Sequence, residues 1–312
     1  MRRMLAAPTF ACEFEQVTSA LRIPFAWSDR LHRMVSPTEV DRGWECGCTC
    51  KGCGARVQAR QGAKNRHHFA HLGDAECSGG LETSIHFTAK QIIEAEKKLW
   101  LPAAIAFPFY PHNMRPIRAV KSQMLTVERV EVEASLNDIR PDLVLWKKER
   151  PLAVEIEVTH PVDEPKAQTY ESMGVSALAI NLRAVARSMS IEELRTRLMS
   201  PSTDTRWVFN RMADSLASTF RRETVKRSLT WRTSHKRAGM IPHVDSCPLR
   251  PRESKRHQST FANAKLDCPG CPYYFPPENS QRIYAVRCSG HLAAQYPEAI
   301  SEDWLHRIDG GG

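Results

Sequence analysis

Two acidic side chains lie inside apolar segments on either side of a charged break at residues 147–150. Val, Leu, Ile and Trp favour strands, so this arrangement predicts a β-hairpin with its turn in the break. Such a turn places Asp142 opposite Glu155 and Arg140 opposite Glu157. Arg140 and Glu157 can form an ion pair, whereas two like charges about 5 Å apart repel each other. A shared Mg²⁺ or Mn²⁺ explains the two facing carboxylates, because hard cations prefer oxygen ligands.

A second set of candidate ligands consists of thiols and imidazoles, with Cys50-x2-Cys53 followed after fourteen residues by His68-x2-His71. Two close pairs of such ligands can close a tetrahedron around Zn²⁺. The metal would mainly fold the segment, since so short a piece has little core of its own. The alternative is a scatter of buried cysteines and surface histidines. The sequence leaves open which neighbours are spectators, namely Cys46, Cys48, His67 and Cys77.

The C-terminal part carries another cysteine pair, Cys268-Pro-Gly-Cys271. This spacing is typical of a zinc knuckle, whose turn aims both sulfur atoms at one point. The two remaining ligands would come from Cys247, Cys288 and His291, and four cysteines are the favoured set. Unligated thiols are the alternative. The chain is therefore expected to hold two structural zinc ions.

Residues 81–99 follow the period of an amphipathic helix. Glu82, His86 and Lys90 recur at every fourth position, so they form a polar row along one flank of this helix. A solvated face is the simplest explanation of such a row. The acid pair of the hairpin supports the alternative, in which the row faces the same cleft.

The rest of the central region alternates strand and helix patterns. The order helix, strand, hairpin, helix, strand, helix predicts a mixed α/β core, in which a sheet is flanked by helices. Besides the hairpin and the first helix, the predicted elements are a strand at 122–136, helices at 162–173, 190–199 and 207–227, and a strand at 175–182.

These patterns divide the chain into five predicted parts. They are a lead-in (1–43), a zinc-finger-like module (44–78), an α/β core (79–205), a helix with a basic linker (206–240) and a C-terminal Cys-rich zinc module (241–312).

The chain of 312 residues has a net charge of +9 and a pI of about 9.1, which favours polyanionic partners, nucleic acid first. Part of this charge is a basic tract that could contact phosphates: Arg221, Arg222, Lys226, Arg227, Arg232, Lys236 and Arg237. A solvated linker is the simpler explanation of such a tract.

No apolar run is long enough for a transmembrane helix, so no membrane association is expected. The apolar start of the chain is broken by Pro8 and soon meets Glu13, which argues against a secretory signal. Cysteines in metal-ligand spacing then indicate a reducing compartment, and the expected location is cytoplasmic.

Taken together, these motifs resemble the competence protein CoiA-like nuclease family of the PD-(D/E)xK group. The resemblance covers residues 44–185, and its motifs are the C-x-x-C before H-F-A-H, E-T-S-I-H-x3-K at 82–90, R-P-D-L at 140–143 and V-E-I-E-V-T-H at 154–160, followed by Lys166. It implies a restriction-endonuclease-like core and metal-dependent endonucleolytic cleavage of DNA. The C-terminal cysteines lie outside it.

The resemblance also implies roles for individual residues. Asp142 and Glu155 match the metal-binding acids, and Glu82 matches the helical acid near the metal, while His86 and Lys90 fall on the polar row of the helix. This sequence departs from the family pattern at Glu157, where PD-(D/E)xK nucleases carry a lysine. Either Lys166 or Lys90 then supplies the positive charge, or Glu157 holds a second metal ion.

Three functions remain open from the sequence. The first is a metal-dependent nuclease, with DNA favoured over RNA as the substrate. The second is a non-catalytic, zinc-containing nucleic-acid-binding protein, which the missing lysine would explain. The third is a module that binds a protein partner through its zinc knuckles.

Overall fold

A computed structural model describes residues 23–64, 66–71, 77, 79–184, 189–233, 239–254, 259–276 and 285–296. The chain divides into two compact units. The first comprises Met1–Thr88 with Val185–Ile191, and the second comprises Ala89–Ala184 with Glu192–Gly312. The fold is mixed α/β, as the sequence predicted. No helix in the described ranges is long and apolar enough to span a membrane.

The first unit contains an antiparallel five-stranded sheet in the order β2-β1-β3-β4-β5. Its core is small and rich in cysteine, with Cys46, Cys48, Val57 and Phe69 all buried. The strands are β1 (Ala26–Ser28), β2 (Arg33–Val35), β3 (Gly43–Thr49), β4 (Arg56–Arg60) and β5 (His68–His71).

Helix α1 (Gly80–Glu96) contains the boundary between the two units. The apolar stripe predicted for this helix is buried at Ile85, Ala89 and Ile93. The helix ends earlier than the sequence predicted, because Lys97 has a φ of 51° that breaks the helical path. Leu99 therefore lies in the next strand and not in the helix.

Two strand pairs follow in the second unit. One joins β6 (Lys98–Leu101) to β9 (Gln123–Thr126), and the other joins β7 (Ala104–Ala106) to β8 (Ile117–Val120). The single strand predicted at 122–136 is thus two strands, because β9 ends at Thr126 and the next strand begins at Arg129.

The main sheet of the second unit has the order β10-β11-β12-β13-β14. The hairpin β11–β12 has the predicted register, with Leu143 paired to Val154 and Lys147 paired to Arg150. Helix α2 connects β12 to β13, and these two strands are parallel, as a helical crossover requires. The strands and helices are β10 (Arg129–Val132), β11 (Leu143–Lys147), β12 (Arg150–Glu157), α2 (Glu164–Met173), β13 (Ala177–Asn181), α3 (Ile191–Met199) and β14 (Thr205–Phe209).

The helix predicted at 207–227 is wrong at both ends. Residues 205–209 pair with β13, and the side chain of Asn210 accepts a hydrogen bond from the backbone N–H of Ala213, so it caps the start of α4 (Arg211–Arg222). The helix gives way to β15 (Val225–Ser228). Residues 206–240, predicted as a helix and a basic linker, therefore contain several strands.

The C-terminal region folds into two small sheets, β15-β21-β20 and β16-β17-β19-β18. Its core includes Phe220 of α4 and the buried Tyr273 and Val286. The remaining strands are β16 (Thr230–Thr233), β17 (Met240–Val244), β18 (Arg252–Ser254), β19 (Ser259–Asn263), β20 (Tyr274–Phe275) and β21 (Ala285–Cys288).

Candidate functional site

The first unit contains a compact group of soft ligands. The ligand atoms of Cys50, Cys53, His71 and Cys77 all lie within 4.8 Å of one another. The sulfur atoms of Cys50 and Cys77 are 3.8 Å apart, and the sulfur of Cys53 lies 3.2 Å from Nε2 of His71. A Zn–S bond of about 2.3 Å in a tetrahedron gives sulfur separations of about 3.8 Å. This group could hold zinc.

A tight turn brings the first two thiols together. The backbone N–H of Gly54 donates to the carbonyl of Cys50 at 2.7 Å, and the N–H of Cys50 donates to the carbonyl of Ala55 at 2.9 Å. Gly54 has a φ of 73°, which favours glycine. Gly80 matters for a different reason, since a Cβ there would lie 2.9 Å from the sulfur of Cys77.

The ligand set differs from the predicted one at a single position, because Cys77 takes the place of His68. His68 and His71 both belong to β5, and residues three apart on a strand point to opposite faces. The two imidazoles therefore cannot face one metal ion together. His68 instead places Nδ1 2.9 Å from the carbonyl oxygen of Arg66.

Burial shapes the protonation of these ligands. Burial lowers the pKa of His71, which favours the neutral imidazole that binds metal. Burial, followed by the neighbouring thiols of Cys53 and Cys50, raises the pKa of Cys77 to about 12. A divalent cation would reverse that effect, because it stabilises coordinated thiolates.

The second unit contains a row of three carboxylates across adjacent strands. The register places Asp142 opposite Glu155, as predicted, and it also places Glu133 opposite Asp142, since Val132 pairs with Leu143. Two backbone contacts hold the row. The N–H of Glu133 donates to the carbonyl of Asp142 at 2.9 Å, and the N–H of Ile156 donates to Oδ2 of Asp142 at 2.8 Å.

Glu155 is 5% exposed and is surrounded by residues of α2. Its Oε1 lies 2.7 Å from Nζ of Lys166 and accepts a hydrogen bond from the buried hydroxyl of Tyr170. Burial is the largest influence on Glu155 and raises its pKa, while Lys166 and Tyr170 oppose the rise and the charge of Asp142 adds to it. The carboxylates of Asp142 and Glu155 are therefore electrostatically linked.

Lys90 supplies a buried positive charge to the same row. Its side chain is 2% exposed, and Nζ lies 2.7 Å from Oε1 of Glu133 and 4.0 Å from Oδ1 of Asp142. Lys90 is the largest influence on Glu133 and lowers the pKa of that carboxyl. The ammonium group thus lies between two of the three acids.

Glu157 lies apart from these contacts. It is 2% exposed, and its Oε1 lies 2.6 Å from Nη2 of Arg206 and accepts the N–H of Val162 at 2.8 Å. The suggested pairing of Arg140 with Glu157 is wrong. Arg140 pairs with Glu133 instead, with Nη2 3.1 Å from Oε2. The partner of Glu157 is therefore supplied by β14 and not by the hairpin.

The carboxylates of Glu133, Asp142 and Glu155, called the acidic row, do not bring their oxygen atoms together as closely as the candidate zinc ligands do. Among the described residues, only the Cys50–Cys53–His71–Cys77 group brings three or more metal-binding atoms within 4.8 Å of one another. In the row, each of the three acids lies within 4.0 Å of a lysine ammonium group. The predicted helical residues Glu82 and His86 are half-buried in the part of α1 that belongs to the first unit. Their roles stay predictions.

The C-terminal cysteines converge without closing into such a group. Cys247, Cys268, Cys271 and Cys288 all line one cavity of about 20 Å³, and His291 is not among the residues lining it. Burial is the largest influence on Cys268 and raises its pKa to about 12, with the thiols of Cys247 and Cys288 adding to the rise. Arg227 places its Nε 3.1 Å from the sulfur of Cys288.

The basic tract is largely engaged within the protein. Arg222 contacts Glu223 at 3.1 Å, Arg232 contacts Asp245 at 2.9 Å, and Arg227 donates to the carbonyl of Ser246 at 2.8 Å. These contacts favour a structural role for this part of the tract. Lys236 and Arg237 lie outside the described residues.

Sequence reasoning missed three residues at these sites. Tyr170 follows Lys166 by four positions on α2, which is a signal that both face Glu155. Glu133 could have been found by extending the strand register by one more strand. Arg206 gave no signal, because its contact with Glu157 depends on how β14 joins the sheet.

Comparison with known proteins agrees with the family resemblance over a short segment of the first unit. Residues 41–80 match the family model of the competence protein CoiA, N-terminal domain. This segment contains β3, β4, β5 and all four clustered metal ligands. The match shows that this segment is similar to the N-terminal domain of CoiA. Searches of curated proteins and of solved structures found no match.

Proposed function

We propose that the chain is a metal-dependent nuclease that hydrolyses phosphodiester bonds of DNA. The observation that carries the proposal is the facing pair of Asp142, just before β11, and Glu155, within β12, with the buried Lys90 beside Asp142. The order of α1, the antiparallel strands β10 to β12, α2 and the parallel β13 supports a restriction-endonuclease-like core. The match to the CoiA N-terminal domain adds support.

The donor set suits a hard cation. Asp142 and Glu155 offer carboxylate oxygens, and the contacts of Lys166 and Tyr170 fall on one oxygen of Glu155, Oε1. Mg²⁺ or Mn²⁺ held by these acids would lower the pKa of a bound water and offset charge on the scissile phosphate. Glu133 is a further candidate ligand.

The residues around the acids have separate tasks in this proposal. Lys90 takes the role of the lysine that is missing at position 157, because its ammonium group lies next to Asp142 and can stabilise negative charge on the phosphate. Lys166 and Tyr170 oppose the rise that burial causes in the pKa of Glu155. Glu157 holds β14 through Arg206 and is not needed as a ligand.

Zinc would serve the fold in both Cys-rich regions. A four-ligand site has no open position for substrate, so a structural role follows. The proposal places one ion on Cys50, Cys53, His71 and Cys77. It places a second on Cys247, Cys268, Cys271 and Cys288, which line one small cavity. Metal analysis of the purified chain should then give two zinc ions per molecule, and a value of one would exclude one of the two ions.

Cleavage assays with DNA and RNA substrates, each with Mg²⁺ and with Mn²⁺, test the nuclease proposal. Asp142→Asn and Glu155→Gln should each reduce cleavage by about 10³-fold, the order of loss when one charge-stabilising group is removed. Both substitutions keep a hydrogen-bond acceptor for Ile156 or Tyr170, so the fold and nucleic-acid binding should persist. Glu171→Gln, an exposed change on α2, is the matched control.

Two outcomes would contradict the proposal. Full cleavage by the Asp142→Asn and Glu155→Gln double variant would remove these acids from the reaction. Salt-sensitive binding of nucleic acid by the wild-type chain, without cleavage of any substrate under either metal, would indicate the non-catalytic nucleic-acid-binding protein instead.

A further inference from the structure

A large cleft lies within the second unit, away from the acidic row. Its volume is about 760 Å³, which falls within the range of small-molecule sites. Its walls come from the turn of the β11–β12 hairpin, the C-terminal end of α2 and the first turns of α4. Arg150 at its edge is five residues from Glu155 along β12, a separation of about 16 Å.

The cleft is positively charged. Arg118, Arg150 and Arg211 line it, and Glu149 is the acidic residue among the lining side chains. Within the described part of the chain, none of these three guanidinium groups has an ion pair with a carboxylate. This differs from Arg206, Arg222 and Arg232, which each contact an acid. Unpaired arginines in a concave site fit a phosphate group, which a guanidinium can bind through two hydrogen bonds.

The cleft also offers an apolar and aromatic surface. Leu216 and Met212 of α4 line one side, and Met212 is 61% exposed. Tyr296 lines the cleft with its side chain 36% exposed, and its ring centroid lies 5.6 Å from that of Phe220. A fixed aromatic ring next to arginines is the combination on which nucleic-acid bases stack while their phosphates are bound.

We propose that this cleft binds a nucleotide unit, with the phosphate on Arg118, Arg150 and Arg211 and the base against Tyr296 and the apolar side chains of α4. The nucleotide can be a free mononucleotide or part of a single strand, since both present the same groups. The proposal goes beyond cleavage at the acidic row, because binding here needs neither the carboxylates nor a divalent cation.

Binding of deoxyadenosine monophosphate, inorganic phosphate and a single-stranded oligothymidylate to the full chain, without added Mg²⁺ or Mn²⁺, tests the proposal. The Arg118→Gln and Arg211→Gln double variant should weaken binding of each phosphate ligand at least about tenfold, because charge-assisted hydrogen bonds are lost. The control is the Arg129→Gln and Arg222→Gln double variant, which removes equal charge outside the cleft and should change affinity less than about threefold.

Further variants separate binding from folding and phosphate from base. Arg150→Gln alters an exposed residue of the hairpin turn, so it should weaken binding with an unchanged thermal unfolding midpoint. Tyr296→Ala should weaken binding of the mononucleotide and leave that of inorganic phosphate unchanged.

Affinity for the oligothymidylate alone would assign the site to a strand, and affinity for the mononucleotide as well would assign it to free nucleotides too. Equal losses in the cleft and control variants, or unchanged nucleotide affinity in Tyr296→Ala, would overturn the proposal.

Discussion

Two groups of candidate metal ligands differ in the charges around them. One is the Cys50–Cys53–His71–Cys77 group, and the other is the row of Glu133, Asp142 and Glu155. The first group brings four soft ligands within 4.8 Å. In the second, Lys90 contacts Glu133 and approaches Asp142, and Lys166 contacts Glu155. The first group thus has no opposite charge among its ligands, whereas each carboxylate of the second already lies beside an ammonium group.

Under the proposed function, this difference separates a structural zinc site from a catalytic cation site. Zinc binding to a group whose ligands crowd one another contributes directly to folding, so the ion should be held tightly. A cation at the acidic row has to compete with lysines for carboxylate oxygens. We therefore expect weak binding there, strengthened when a phosphate substrate shares the cation and takes up the lysine charge.

The largest expected effect concerns the zinc group and distinguishes its two candidate histidines. His71→Ala should remove one zinc ion per chain and unfold the first unit, because structural zinc stabilises small modules by about 10 kcal/mol or more. His68→Ala should keep the ion, since its Nδ1 lies beside the carbonyl of Arg66. Metal analysis and limited proteolysis measure both results. Zinc loss in His68→Ala with retention in His71→Ala would reverse the assignment.

The next effect concerns the charge on Glu155. Its folded pKa lies above the ordinary value of 4.5, so the folded state loses stability as the pH rises from that value through the folded pKa. Lys166→Met removes the contact that opposes this rise, so the pKa of Glu155 should increase further. The acidic limb of the pH profile of kcat/KM should then move to higher pH. An unmoved limb with lowered activity would give Lys166 a role separate from Glu155.

A third variant tests whether Glu157 is a ligand or a structural residue. Glu157→Gln should keep cleavage and lower the free energy of unfolding by about 1–2 kcal/mol, because it weakens charge-assisted hydrogen bonds with Arg206 and Val162. Chemical denaturation and cleavage rates provide the two measurements. Loss of cleavage without loss of stability would instead make Glu157 a second metal-binding acid.

The smallest expected effect comes from Tyr170→Phe, which removes one hydrogen bond to Glu155 and keeps the buried ring. The unfolding free energy should fall by about 1 kcal/mol. The apparent affinity for Mg²⁺ in the cleavage reaction should fall about tenfold, as for other residues that orient a metal ligand. Unchanged Mg²⁺ dependence would show that Tyr170 serves packing alone.

The sequence by itself determined the local features of both sites. Apolar runs around the break at 147–150 were enough to set the hairpin register, so Asp142 faces Glu155 as expected. The C-x-x-C spacing was enough to predict the knuckle of Cys50 and Cys53. These features depend on neighbours within a few residues or on a single turn, and periodicity encodes both.

Only the tertiary structure decided the partners that come from distant segments. Cys77 replaces His68 because β5 turns the two histidines to opposite faces, which spacing alone does not reveal. Glu157 meets Arg206 and Arg140 meets Glu133 because β14 and β10 join the sheet at those registers. Strand order across a sheet is a long-range property, so the residues that neutralise each acid could not be read from the pattern around it.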